Sequence, residues 1–288
     1  MLASTLNFFA SGDSDIHVSL KAEELWSVGG ISITNSMVYG LIVAVLMGFV
    51  LTAIAKRSKV KPAKGNKTVA VLESVVMFVV NLLESAFGSR KKAFQYAPIM
   101  ATFFIFILVT NVMGLFPLVG PALEVTTAEG QIPLLRPFTA DLNGTLVMAI
   151  IAIVAVQVLS IRKQGLKGHL QHYFSDKPAN PINFFIGLLE VFSEFTRILS
   201  LALRLFLNTA VGEILIAVFT SLILTEGRTP IAVIPIILFE ILVAGIQAYV
   251  FTVLTATYLA LAISHAHDDE DHSEELAVQQ VEGLATSS

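Results

Sequence analysis

The chain has 288 residues, of which 55% are hydrophobic and only 14% charged, against about 25% charged residues in an ordinary soluble domain. That balance excludes a soluble globular domain and points to an integral membrane protein with several spans. The net charge of −4 offers no basic excess suited to nucleic acid, and the lack of cysteine excludes disulfides and thiolate metal sites.

In chain order, residues 1–36 lack the basic start of a signal peptide, turn polar and acidic at once, and read as a segment outside the membrane. Residues 37–55 are an uncharged run, and about 20 such residues cross a bilayer. KRSKVKPAKGNK follows, with six basic residues within 56–67. The positive-inside rule places that loop in the cytoplasm and the N-terminus outside. Residues 68–87, TVAVLESVVMFVVNLLESAF, differ in kind. Glu73 and Glu84 are eleven apart, three helical turns, and share a face with Ser74, Asn81 and Ser85 close by. This predicts an amphipathic helix lying on the membrane surface. A span here would carry Arg90, Lys91 and Lys92 to the outside.

A second span is predicted at 97–118, ending in the Pro117 to Pro121 breaker region. An outside loop covers 119–140, and a third span at 142–161 ends at Arg162 and Lys163, which open a second basic inside loop. Residues 182–225 and 231–264 read as helices of roughly 66 and 50 Å at about 1.5 Å per residue. The hydrocarbon core is only about 30 Å thick. The hairpin they form, turned by TEGRTP at 225–230, is therefore expected to tilt strongly or curve within the membrane. Residues 265–288 begin HAHDDEDHSEE and read as a disordered acidic cytoplasmic tail without metal-ligand spacing. The predicted fold class is all-α: a polytopic membrane protein with five crossings, an amphipathic surface helix and a long tilted C-terminal hairpin, its C-terminus cytoplasmic.

Charged residues interrupt this hairpin where none would be expected. The first long helix carries Glu190, Glu194, Arg197, Arg204 and Glu213. Glu190, Arg197 and Arg204 are spaced by seven, so each falls about 20° from the last around the helix. Ser200 and Asn208 flank Arg204 at i−4 and i+4, and the second helix carries Glu240 and Gln247, again seven apart, with Tyr258 further on. A central arginine costs about 2.5–3.5 kcal/mol on insertion scales, and unlike lysine it cannot shed its charge. It therefore needs a polar, partly hydrated or protein-lined setting. Arg204 either pairs with Glu213 or Glu240 and staples the two helices, or it faces a carboxylate on another chain. Within its own helix Glu213 lies nine residues on, about 180° round, out of reach. No internal repeat of the kind expected in a secondary transporter is evident.

Several ordered segments then carry a resemblance. LALRLFLNTAVGE at 201–213 resembles the signature of subunit a of the F-type ATP synthase, LxLRLFGNxxxGE. NVMGLFP at 111–117, PFTADLNGTLVMA at 137–149 and FEILVAGIQAY at 239–249 resemble further segments of that family, in the same order. The likeness covers about 90–270. Leu207 stands where the family pattern has glycine, Gly114 where some relatives have an acid, and Glu213 and Glu240 where some relatives have one acid and one histidine. The resemblance implies a stator subunit with no catalytic residues, metal or cofactor, in a bacterial plasma membrane. Its implied partners are the subunit c ring, the subunit b stalk, the remainder of the complex, protons and membrane lipids. It implies that Arg204 faces the carboxylate of the rotating ring and that Asn208, Glu213, Glu240 and Gln247 belong to two aqueous half-channels. Asn111 matches a polar residue beside the outer half-channel, Thr139 and Asp141 fall in the matched loop, and Glu190 and Arg197 match polar positions on the cytoplasmic side.

Overall fold

A computed structural model describes residues 22–28, 31–60, 67–116, 119, 124–127, 130–174, 181–225 and 234–285. In chain order the elements are β1 (Glu24–Val28), β2 (Ile31–Thr34), α1 (Asn35–Val60), α2 (Lys67–Phe87), α3 (Arg90–Gly114), β3 (Glu124–Thr127), β4 (Gly130–Pro133), a 3-10 turn (Phe138–Ala140), α4 (Leu142–Phe174), α5 (Pro181–Thr225) and α6 (Ile234–Ala285). The chain is an all-α polytopic membrane protein with two small antiparallel hairpins, β1–β2 and β3–β4. Among the described residues six helices are long and apolar enough to cross a membrane. They are the five expected spans and α2, whose exposed Ser74, Asn81 and Ser85 lie away from buried Val69, Val79, Val80 and Leu83, with exposed Glu73 nearer the buried face.

The helices run further than the charge pattern alone suggests. α1 extends over Asn35–Val60 rather than 37–55. α3 begins at Arg90, not at 97; Gly88, in the left-handed region at φ 63°, ends α2 and Ser89 in extended backbone starts α3. α4 continues past residue 161 to Phe174, with a kink at Gly165 (φ 79°), so the first part of the basic loop is helical. α6 likewise runs through the expected disordered tail to Ala285. In each case charged residues are no barrier to a helix. Beyond the acidic run, EELAVQQ is built from strong helix formers, which a reading from composition overlooks.

In the bundle α5 lies chiefly along α4, α6 packs on α3 and α4, and α2 packs on α3. Fully buried Ala149, Ala152, Ala202 and Ala248 let backbones approach, as membrane helices require, and Met100, Ile107, Leu205 and Phe251 fill the space between. Phe49, Phe192, Phe195 and Leu238 are more than half exposed, which suits a surface bathed in lipid, where apolar contact with the surroundings carries no penalty. α1 is tied near its N-terminal end to α3 and β4. Tyr39 Oη donates to the Thr110 carbonyl at 2.8 Å and Asn35 Nδ2 to the Pro133 carbonyl at 3.0 Å.

α5 and α6 meet in one antiparallel register. Arg197 stacks over the Tyr258 ring at 5.0 Å. Eleven residues along each helix, Asn208 donates to Gln247. One turn further, the backbone of Gly212 faces the Glu240 carboxyl.

Candidate functional site

α5 presents its polar side chains in three groups along its length. At the centre, Arg204 is half-buried, with Leu207 about half exposed one turn on. Its Nη2 lies 3.5 Å from Ser200 Oγ, the i−4 neighbour, and its buried Nη1 has no hydrogen-bond partner. Among the described residues no carboxylate pairs with it. The staple to Glu213 or Glu240 is therefore not formed: a permanent cation sits in an apolar helix with its own counter-charges engaged elsewhere. Asn208, one turn on, donates through Nδ2 to Gln247 Oε1 at 2.7 Å. That contact leaves the buried Gln247 Nε2 without a partner. Buried polar atoms without partners are costly, and two of them flank the same stretch of α5.

The group on the C-terminal side of Arg204 gathers residues from four elements. Glu213 forms an ion pair at 3.7 Å with Arg136, which comes from the segment before the 3-10 turn and is buried. Glu240 is buried on α6 against Gly212, where an added Cβ would stand 2.7 Å from the Glu240 Cδ. Only glycine at 212 leaves the carboxyl its place. Thr139 Oγ1 donates to Asn111 Oδ1 at 2.7 Å, and Thr209 Oγ1 lies 3.5 Å from the same oxygen. A continuous polar set thus runs from the 3-10 turn and α3 onto α5. Asp141 stands apart from it in role. It precedes α4, accepts from the Asn143 backbone N–H at 3.0 Å and from Ser36 Oγ at 2.6 Å, and so acts as a buried helix cap.

The third group lies on the N-terminal side of Arg204. Arg197 pairs with Glu194 at 2.7 Å, and Glu190 lies one turn further from Arg204, half-buried. Arg197 and Arg204 share a helix face, about 10 Å apart along the axis.

Of the ten residues singled out from the sequence, the structure joins Asn208 to Gln247 and Thr139 to Asn111, brings Glu240 against α5, and leaves Arg204 between the two flanking groups. Sequence reasoning missed Arg136 and Gly212. Arg136 carried a signal. It is the only basic residue between 119 and 140, a loop that the alternation of basic segments assigns to the outside, where lysine and arginine are disfavoured. Gly212 sits inside the GE pair of the quoted motif, but its packing role depends on a residue 28 positions on. Among the described residues no three His, Asp or Glu side chains gather as a metal set. The arrangement holds fixed charge and polar hydrogen-bonding atoms on helices long and apolar enough to cross a membrane.

Residues 37–260 match the family model described as "ATP synthase A chain". The chain is 32% identical over 244 residues to "ATP synthase subunit a" of Moorella thermoacetica, covering 85% of this chain and 97% of that one. It is 33% identical over 266 residues to "ATP synthase subunit a 2" of Chlorobaculum tepidum, covering 88% and 70%. With "ATP synthase subunit a" of Nitrosospira multiformis it shares 29% identity over 262 residues, covering 88% and 92%.

Proposed function

Because this chain belongs to the ATP synthase A chain family, we propose that it forms the two aqueous half-channels that load and unload protons on a rotating ring of subunit c. As a family member it is a multi-pass membrane component of a bacterial ATP synthase, serves its proton-channel function, is not itself catalytic, and works with the rest of that complex. In the proposed arrangement five helices cross the bilayer, α2 lies flat on the inner surface, the N-terminus is outside and the C-terminus cytoplasmic. Subunit b holds the chain stationary against the ring.

Protons enter from outside past Asn111, Thr139, Glu240, Glu213, Gln247 and Asn208, and neutralise a carboxylate on the ring. An ionised acid in lipid is costly and a neutral one is not, so the loaded site turns away through the bilayer. After nearly a full turn it meets Arg204 from the other side. A fixed positive charge favours the anion and drives release of the proton, which leaves to the cytoplasm past Glu190, while Arg197 stays paired with Glu194 beside that path. The same charge blocks direct passage from one channel to the other. A potential of 100 mV supplies about 2.3 kcal/mol per proton.

The observation that supports this most is the Arg204 guanidinium: its Nη1 is buried without a hydrogen-bond partner, and no carboxylate among the described residues neutralises it. A group so placed suits a visiting anion. Replacing Arg204 by Ala in the complete complex is expected to abolish ATP-driven proton pumping into inverted membrane vesicles while the chain still accumulates. Pumping at the parental rate would overturn the reading.

A further inference from the structure

Two arginines lie on the same face of α5, seven residues apart, and their surroundings are opposite. Arg204 has only a long contact to Ser200 and a buried, unpartnered Nη1. Arg197 is engaged on two sides. Its Nη1 donates to Glu194 Oε1 at 2.7 Å, an i,i+3 pair within α5, and its guanidinium lies over the Tyr258 ring of α6 at 5.0 Å. Glu194 is itself held by a side-chain hydrogen bond from Gln157 of α4. α4 and α6 therefore each reach one member of the Arg197–Glu194 pair of α5. The side chains are 27% exposed for Arg197 and 18% for Glu194, so the pair is largely shielded, and water does little to screen it.

We infer that Glu194 and Tyr258 form a clamp that neutralises Arg197 and holds it away from the rotor-facing path, so that among the described residues Arg204 is the cation left free there. The inference rests on the proposed function and deepens it. The contact between the ring carboxylate and Arg204 works because the anion is favoured at one place and is free to leave on both sides. A second unpaired guanidinium about 10 Å towards the exit would give the ring carboxylate another resting place at the moment it must move on. It would also repel the outgoing proton. Carboxylate and aromatic face act together: the first cancels the charge, and the second fixes where the planar group lies. Glu194 and Tyr258 are positioning residues on this account; neither carries the proton.

The test uses the complete ATP synthase in inverted membrane vesicles, with ATP-driven proton pumping as the readout. Amounts are normalised to the immunoblotted chain and to catalytic sector bound. Glu194→Gln unmasks Arg197 and is expected to slow pumping about tenfold, the size of one unit-charge interaction over about 10 Å at an effective dielectric constant of about 20. Glu194→Gln with Arg197→Gln removes the stray cation and is expected to restore pumping to within about twofold of the parent, a recovery that a merely structural loss would not show. Parental pumping in Glu194→Gln alone overturns the inference. Equal loss in the single and double variants also overturns it, because Glu194 would then be needed for itself. Should Glu194→Gln fail to accumulate, Tyr258 decides: Tyr258→Phe keeps the aromatic face and is expected to pump, Tyr258→Leu is expected to lose several-fold, and equal rates in both overturn the clamp. Arg204→Ala is run alongside. Intact pumping there defeats the proposed function itself, whereas an inactive Arg204→Ala with an unaffected Glu194→Gln defeats only the clamp.

Discussion

Gly212 offers a sharp test of how closely α5 and α6 must approach, because the distance is known and the perturbation can be graded. A Cβ at 212 would stand 2.7 Å from the Glu240 Cδ, while ordinary carbon contacts begin near 3.5 Å. The carboxyl must therefore retreat by roughly 0.8 Å for alanine, and further for valine. Glu240 is buried, but the atoms in the way are the free end of its side chain, so alanine falls at the low end of the cost and the larger valine at the high end. Overpacking of this kind costs about 1–3 kcal/mol. If the whole cost falls on the transport step, Gly212→Ala slows it about fivefold and Gly212→Val about 150-fold. Passive proton conduction through membranes stripped of the catalytic sector isolates that step from nucleotide chemistry. A second change supplies the control: Glu240→Asp draws the carboxyl back by one carbon–carbon bond, about 1.5 Å, and should recover much of the conduction lost in Gly212→Ala. If Gly212→Val conducts like the parent, or if Glu240→Asp deepens the defect of Gly212→Ala, then the glycine is not there to seat that carboxyl.

Other contacts give further expectations. Arg136→Gln strands Glu213, whose side chain is 28% exposed, and should cost about 3 kcal/mol, the lower end for breaking a buried pair; the readout is a fall in membrane abundance that Arg136→Gln with Glu213→Gln recovers. Undiminished abundance in the single variant would show that the pair contributes nothing. Asn208→Ala and Gln247→Ala should couple by about 1 kcal/mol in a double-mutant cycle on pumping rate, and strict additivity would mean that their 2.7 Å hydrogen bond has no part in transport. Asp141→Ala removes a cap and should cost about 1 kcal/mol in thermal unfolding of the detergent-solubilised complex, while Asp141→Asn keeps the cap and should keep transport. Loss of transport in a stable Asp141→Asn would place that carboxylate in the proton path instead.

Long uncharged runs and basic punctuation made the spans legible, because insertion energetics act on composition over about 20 residues. The same averaging hid what lies between them. ELWSV and ISIT flank Gly29 and Gly30, a two-residue turn signal between β-prone segments, yet the strands β1 and β2 were not anticipated in a segment judged only by its polarity. In the tail, charge likewise dominates the composition, while α6 runs on to Ala285 through its helix formers. Site residues were legible where they repeat at seven on one face, as Arg197 and Arg204 do, or Glu240 and Gln247. Arg136 was not, since its partner lies 77 residues away and nothing local announces a pair. Leu207 replaces the glycine of the family pattern and so marks the place where close backbone approach would be sought. The structure moves that approach five residues on, to Gly212, and leaves Leu207 outward and about half exposed.

The absence of a counter-charge for Arg204 follows from the register of the hairpin. Arg197 meets Tyr258, and Asn208 meets Gln247, so each step outward along α5 is matched by a step back along α6. On that alignment the level of Arg204 corresponds to Phe251, which is fully buried and packs on Phe103 of α3 at 5.9 Å. α6 thus offers Arg204 a hydrocarbon ring turned away into the core. The carboxylate that could have served, Glu240, is held three turns further out, where Gly212 makes room for it. To bring Glu240 level with Arg204 the helices would have to slide by about 16 Å, breaking the Asn208–Gln247 hydrogen bond and the Arg197–Tyr258 contact together. Packing that fixes those two contacts therefore also keeps the guanidinium unpaired. It does so by geometry shared along the whole hairpin, so that no single residue beside Arg204 has to enforce it.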